Sequence, residues 1–216
     1  MFFLILLALF FYYLNAAYIN IWHKFSNKTA NGSGIFLIIP LITYCTIAEI
    51  NIVYILILLL FSLIYFLDDL INLNFLLRIF IQILTSFTIY HIFYINFNIY
   101  LFFLIIIIFF LFMIILNFQD GQDLNLFVLL VMIFTSFYFF SNNNISIQIS
   151  LLVLIFLSIF SIFNQKAKNL YFGDSGCFIA SILIFVIIFH EYRNLFLIKS
   201  IISIILFPSI DVFYVI

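Results

Sequence analysis

Residues 97–116 read FNIYLFFLIIIIFFLFMIIL, and residues 117–123, which follow, read NFQDGQD. The first stretch carries no charge and has the length of roughly 20 residues that a helix needs to cross a hydrocarbon core. The second sets two carboxylates, three carboxamides and a glycine side by side. This alternation of a long apolar run and a short polar island recurs along the chain and decides the fold. Further runs cover about 1–22, 35–48, 50–67, 75–93, 124–140, 145–163, 177–189 and 195–216. None shows the period-two alternation of a transmembrane strand. The pattern predicts an all-α, polytopic transmembrane bundle of about nine membrane segments, forming a single integral membrane domain over 1–216. Two runs, 35–48 and 177–189, are short for a span, and either re-enter the membrane or borrow flanking residues.

Composition excludes the alternatives. The chain is 69% hydrophobic and 7% charged, with 34 Phe against 7 Lys plus Arg. A water-soluble domain carries roughly a quarter charged residues to solvate its surface. A soluble enzyme, a nucleic-acid binder, a disordered chain and a secreted disulfide scaffold are all ruled out. Cys45 and Cys177 lie in apolar runs and read as small buried hydrophobes. The net charge of −1 supports no bulk electrostatic argument about partners.

Orientation follows from the basic residues. No Lys or Arg precedes the first run, whereas Lys24 and Lys28 follow it. By the positive-inside rule this predicts a retained first helix with the N-terminus outside. Alternate counting then puts 23–34, 68–74, 117–123 and 164–176 inside, and Glu49, 94–97, 141–144 and 190–194 outside. Lys24, Lys28, Lys166 and Lys168 fall on the inner side, with Arg78 just beyond its second loop, against Arg193 on the outer side and Lys199 just inside the next run. All the aspartates (Asp68, Asp69, Asp120, Asp123, Asp174 and Asp211) map to that same side. Glu49 and Glu191 map to the other. Carboxylates gathered at one membrane surface repel each other and call for a cation, such as a divalent metal, or for protonation.

The islands differ in what they can do. Asp68 and Asp69 close the third run; neighbours on a helix diverge by about 100°, so the pair suits two tasks better than one shared ligation. A solvated helix end is the plain alternative. In Asn117–Asp123, Gly121 permits a tight turn that lets Asp120 and Asp123 face one site, with Asn117 offering a neutral oxygen. Capping residues of a polar turn are the competing reading. Gly173-Asp174-Ser175-Gly176 precedes another run; its glycines allow close backbone approach, and a helix start there attracts phosphate. Lys28-Thr29-Ala30-Asn31-Gly32-Ser33-Gly34 is a basic, glycine-rich turn suited to an anion or simply a positive inside loop. Pro208 lies shortly before Asp211 and opens the last helix so that this carboxylate can turn from lipid toward the others. His23, His91 and His190 read as structural, Ser141–Asn144 as a loop, and Glu191 as a partner of Arg193 or of solvent.

Taken in order, these islands resemble the polyprenyl-phosphate N-acetylhexosamine-1-phosphate transferases, bacterial membrane enzymes that begin peptidoglycan and O-antigen lipid-linked precursors. Members include phospho-N-acetylmuramoyl-pentapeptide transferase and undecaprenyl-phosphate N-acetylglucosamine-1-phosphate transferase. The matching pieces are Thr29 to Gly34, Asp68-Asp69, Asn117 with Asp120, Gly121 and Asp123, Gly173 to Gly176, and Pro208 with Asp211. The resemblance implies a site facing the cytoplasm of a bacterial inner membrane, Mg²⁺ as cofactor, and a UDP-sugar and a polyprenyl phosphate as substrates. It implies Asp174 and Asn117 as metal-site residues, Asp68 as base for the lipid phosphate with Asp69 in support, and Lys28, Asp120, Gly121 and Asp123 as nucleotide or phosphate contacts. Asp211 is a further member of the set. No nucleic acid is expected; a homodimer is compatible with the residues but is not read from them.

Two departures stand out. Leu124 follows Asp123 where many members of that family have glycine. The chain also stops at Ile216 inside an apolar run, whereas the family continues into a His-rich loop and further helices, so a C-terminal truncation is expected. Three rival readings are an intramembrane prenyltransferase with two Asp motifs, a transporter using intramembrane acids, and an inactive paralogue or fragment. The prenyltransferase leaves Gly173–Gly176 without a task. The transporter needs acids near the midplane rather than at run ends.

Overall fold

A computed structural model describes residues 2–25, 29–93, 99–120, 124–165, 170–191, 199 and 201–206. Eight α-helices are labelled in chain order: α1 (Phe2–Phe25), α2 (Ile38–Ile47), α3 (Ile52–Ile71), α4 (Phe75–Phe93), α5 (Ile99–Asp120), α6 (Asn125–Phe140), α7 (Asn144–Gln165) and α8 (Gly173–His190). A 3₁₀ turn, Ser33–Leu37, leads into α2. No strand forms among the described residues; a single parallel bridge joins Ala30 to Leu170.

Six of these helices are long and apolar enough to cross a membrane, namely α1, α3, α4, α5, α7 and α8. The segment Ser33–Ile47 and α6 are shorter apolar helices. The run at 177–189 reaches spanning length because Gly173–Gly176 forms its first turn. The run at 35–48 stays short: it begins as a 3₁₀ turn, and Pro40 sits in the first turn of α2, where its missing N–H leaves no intrahelical bond unmade. Most of the ninth run, 195–216, lies outside the described residues.

Helical periodicity sorts each span into an inner and an outer face. On α3, Leu58, Phe61, Ser62, Tyr65 and Asp68 are buried, while Leu56, Leu60, Leu63, Leu67 and Leu70 are about half exposed. The outer stripe continues on α4 through Phe75, Leu76 and Phe80, and on α5 through Phe103, Ile107 and Leu111. Apolar exposure on this scale fits a lipid solvent and not water. In contrast, α8 is buried on every side from Ser175 to Ile187 and forms the central post. A helix hydrophobic all round belongs in such a position. The cysteines are free and buried, Cys45 on α2 and Cys177 on α8.

The alternation of helix directions brings the C-terminal ends of α3 and α5 and the N-terminal ends of α4 and α8 to one end of the bundle. At the opposite end α8 finishes against the α6–α7 connection. There Glu191 accepts the Ser141 hydroxyl and the backbone N–H groups of Asn142 and Asn143, at 3.3 and 2.9 Å. His190 lies between the Tyr44 hydroxyl (2.6 Å from Nδ1) and the Asn143 carboxamide (3.0 Å from Nε2). Residues 141–143, read as a plain loop, thus form a docking point for the end of α8. Arg193, the expected partner of Glu191, lies outside the described residues.

Candidate functional site

The first four N–H groups of an α-helix have no partner within it. On α8 these begin at Phe172, whose side chain provides no cap. Two carboxylates from other helices supply the acceptors. Asp120, the last residue of α5, accepts Phe172 N–H at 3.2 Å and Gly173 N–H at 2.8 Å. Asp69, near the end of α3, accepts Asp174 N–H at 2.8 Å, Ser175 N–H at 3.1 Å and the Ser175 hydroxyl at 2.5 Å. The positive end of the helix dipole reinforces both. Asp69 and Asp120 therefore tie the ends of α3 and α5 to the start of α8.

Asp68 points elsewhere, as the angular step between neighbouring helix residues requires. It is buried; its Oδ1 accepts Leu73 N–H at 2.6 Å and its Oδ2 lies 2.8 Å from Arg78 Nε. The Arg78 Nη1 reaches Asp174 Oδ2 at 3.3 Å. One guanidinium from the first turn of α4 thus bridges carboxylates of α3 and α8. The Asp68 contact is close but misaligned, so neither Asp68 Oδ2 nor Arg78 Nε has a hydrogen-bond partner. The Asp174 carboxylate also feels the neighbouring Asp68 carboxylate and the Asn117 side chain on α5.

Two supports fix this arrangement. One turn inward from the acids, the rings of Tyr65 and Phe178 stack with centroids 4.0 Å apart and planes 11° apart, setting the register of α3 on α8. The Tyr65 hydroxyl accepts from Gln82 Nε2 at 2.7 Å, which joins α4 to the same layer. The second support is a strap formed by residues 30–34. Tyr171 N–H donates to Ala30 C=O at 2.8 Å, and Gly34 N–H donates to Phe172 C=O at 3.0 Å. The Ser33 hydroxyl donates to Tyr171 C=O at 3.0 Å, and Asn31 Nδ2 to Asp69 Oδ1 at 3.4 Å. Gly34 lies against Gly176 so closely that a Cβ on either would collide with the other's backbone. Gly173 has φ +82°, a conformation open to glycine, and a Cβ there would meet Gly32 N at 2.5 Å.

Of the site residues expected from the sequence, Asp68, Asp69, Asn117, Asp120 and Asp174 converge at one end of the bundle. Lys28, Gly121, Asp123 and Asp211 lie outside the described residues. The glycine-rich turn expected to contact an anion places Gly32 and Gly34 in backbone packing against Gly173 and Gly176. Arg78 entered the sequence reading only as a positive charge near a loop. Its signal was a lone arginine inside an apolar run, shortly after an Asp pair.

The donor set suits a hard divalent cation. Asp68 and Asp174 offer two carboxylates, Asn117 an amide oxygen, and Asp68 Oδ2 is buried without a hydrogen bond. Among the described residues no three His, Cys, Asp or Glu side chains form a metal cage. Mg²⁺ does not require one, since it commonly joins one or two carboxylates to substrate phosphates and retains several waters.

Fold and site together define an all-helical membrane protein with acidic groups and a guanidinium gathered at one end of its bundle. The chain belongs to glycosyl transferase family 4, whose family model matches residues 51–190. That span covers α3 to α8 and includes Asp68, Asp69, Arg78, Asn117, Asp120 and Asp174, whereas the strap 30–34, Lys28 and Asp211 fall outside it. The protein is therefore a membrane transferase. No curated protein and no solved structure matches the chain.

Proposed function

We propose that the protein transfers a sugar-1-phosphate from a UDP-N-acetylhexosamine to a polyprenyl phosphate, starting a cell-envelope polysaccharide precursor. The reading places the site at the cytoplasmic face of a bacterial membrane, with the N-terminus outside and Mg²⁺ as cofactor. The observation that carries it is the meeting of Asp68 and Asp174 on Arg78 at the bundle end where α3, α5 and α8 are tied together. A lipid-phosphate acceptor also accounts for a site at the end of membrane helices, because its polar head stays at the surface while its chain lies in lipid.

Phosphoryl transfer depends mostly on positioning and charge neutralisation. An oxygen of the lipid phosphate attacks the β-phosphorus of the UDP-sugar, the bond to the α-phosphate oxygen breaks, and UMP leaves. A diphosphate-linked sugar remains on the lipid. When bound, Mg²⁺ neutralises charge on the diphosphate, and Asp68, Asp174 and Asn117 are the residues that would hold it. With Oδ1 on Leu73 N–H and Oδ2 given to the metal, Asp68 has no oxygen left for the base role expected of it, and the lipid phosphate enters this reading already ionised. Asp69 and Asp120 hold the start of α8 and so orient Asp174. Lys28, Gly121, Asp123 and Asp211 serve nucleotide and phosphate contacts in this reading.

Membranes containing the protein, given radiolabelled UDP-N-acetylhexosamine and polyprenyl phosphate, are expected to yield a lipid-linked product and UMP in equal amounts. Chelation of Mg²⁺ or Asp174→Asn should remove both. Product that persists undiminished in either case would overturn the metal assignment, and no product from the wild type would favour an inactive paralogue.

A further inference from the structure

Arg78 is placed where a cation is needed. Among the described residues it is the only ion-pair partner of Asp68 and of Asp174, and it reaches the Oδ2 atom of each. Asp68 Oδ1 is already committed to Leu73 N–H, so Oδ2 is the free oxygen of that carboxylate. The Asp68 side chain is 1% exposed, and the atom has no aligned donor. A divalent cation on these two oxygens would have to stand where the guanidinium stands, because Arg78 Nε and Nη1 already lie 2.8 and 3.3 Å from them. Like charges held a few ångströms apart there repel strongly. The two cations are thus alternatives.

The surroundings give the guanidinium somewhere to go. The Arg78 side chain is about one-third exposed, so the guanidinium can swing outward from the bundle end toward the surface. Its contact with Asp68 is not secured by a hydrogen bond.

We propose that Arg78 is a resident counter-cation, which holds the Asp68–Asp174 pair together in the metal-free protein and yields both Oδ2 atoms to a divalent cation. This rests on the metal reading of the site given above. Arg78 is a positioning residue in this role: it keeps α3 and α8 assembled around an empty acidic pair, at the expense of metal affinity.

The test is Mn²⁺ binding by electron paramagnetic resonance on the purified full chain in lipid nanodiscs, for the wild type, Arg78→Gln, Arg78→Lys and Asp174→Asn. Removing the competitor should tighten Mn²⁺ binding by about tenfold or more in Arg78→Gln, while lowering the metal-free melting temperature and enlarging the rise that Mn²⁺ produces. A merely structural arginine would leave the affinity unchanged or weaken it, and either result would overturn the proposal. If Asp174→Asn binds as the wild type does, or no form binds Mn²⁺, the metal reading itself fails. Where Arg78→Gln does not fold, Arg78→Lys keeps a charge but lacks the fork that reaches both carboxylates, and several-fold tighter binding is expected. On the unaltered protein, Mn²⁺ should speed phenylglyoxal modification of Arg78 several-fold, read by peptide mass spectrometry. An unchanged or slower rate would refute displacement.

Discussion

Asp69 and Ser175 share two hydrogen bonds: the carboxylate Oδ2 accepts the serine N–H at 3.1 Å and its hydroxyl at 2.5 Å. An N-cap is normally the residue that precedes a helix. Here it comes from α3, so the capping interaction is also a tertiary one. Asp69→Ala would leave the Asp174 and Ser175 N–H groups and the serine hydroxyl without an acceptor in a partly buried place. Loss of a cap costs about 0.5–2 kcal/mol, and abandoned buried donors add about 1–3 kcal/mol. A fall of about 2–3 kcal/mol in stability is expected, with Asp69→Asn intermediate because one oxygen remains. Thermal unfolding followed by tryptophan fluorescence or detergent-resistant melting checks it; an Asp69→Ala protein that melts with the wild type would remove the cap from the account.

Gly176 offers a sign test. In the interior of an exposed helix, Gly→Ala stabilises by about 1 kcal/mol because alanine loses less backbone entropy. On α8 the added methyl meets the Phe172 ring and the Gly34 backbone, neither of which can retreat without parting the strap from the helix. Overpacking typically costs about 1–3 kcal/mol. Gly176→Ala should therefore destabilise, and Gly34→Ala likewise. A melting temperature raised in either variant would show that the strap is not closely seated.

The gathering of Asp68, Asp69, Asn117, Asp120 and Asp174 at one bundle end was legible from run lengths and parity, because a chain that crosses repeatedly returns to the same side on every second turn. The divergence of Asp68 from Asp69 was legible from helix geometry. The division of labour was not. Asp69 and Asp120 meet backbone N–H groups at residues 172–175, and a backbone donor leaves no mark in the amino-acid sequence. The pairing of Arg78 depends on the tight α3–α4 connection, where Asn72 adopts a φ of +51° and sets the first turn of α4 beside the end of α3. Glycines 32, 34, 173 and 176 signalled close approach, but composition does not tell approach to a phosphate from approach to another stretch of backbone.

Leu124, at the start of α6, has φ +61° and ψ −8°, in the left-handed region. A leucine there stores of order 1–3 kcal/mol of backbone strain that glycine avoids. This is the position at which the family resemblance leads one to expect glycine, the residue that adopts such a φ without strain. Leu124→Gly should be neutral or stabilising by up to about 1 kcal/mol, since released strain offsets the lost apolar contact and the more flexible unfolded chain. Leu124→Val, branched at Cβ, should lose about 1 kcal/mol or more. Equal melting temperatures for the two variants would place the strain elsewhere.

Glu191 makes the corresponding argument at the opposite end of the bundle. It is 5% exposed, and its carboxylate receives three donors from residues 141–143, just before α7 begins. It therefore joins the end of the central helix to the start of α7, across from the acids that hold the other end of α8. Glu191→Ala strands two backbone N–H groups and a hydroxyl, for an expected loss of about 2–3 kcal/mol. Glu191→Gln keeps one acceptor oxygen and should lose about half of that. Because the site is a full helix length away, transferase activity measured well below the melting temperature should be unchanged in Glu191→Gln. If activity drops while the melting temperature holds, α8 transmits strain between its ends, and the far-end cluster is more than an anchor.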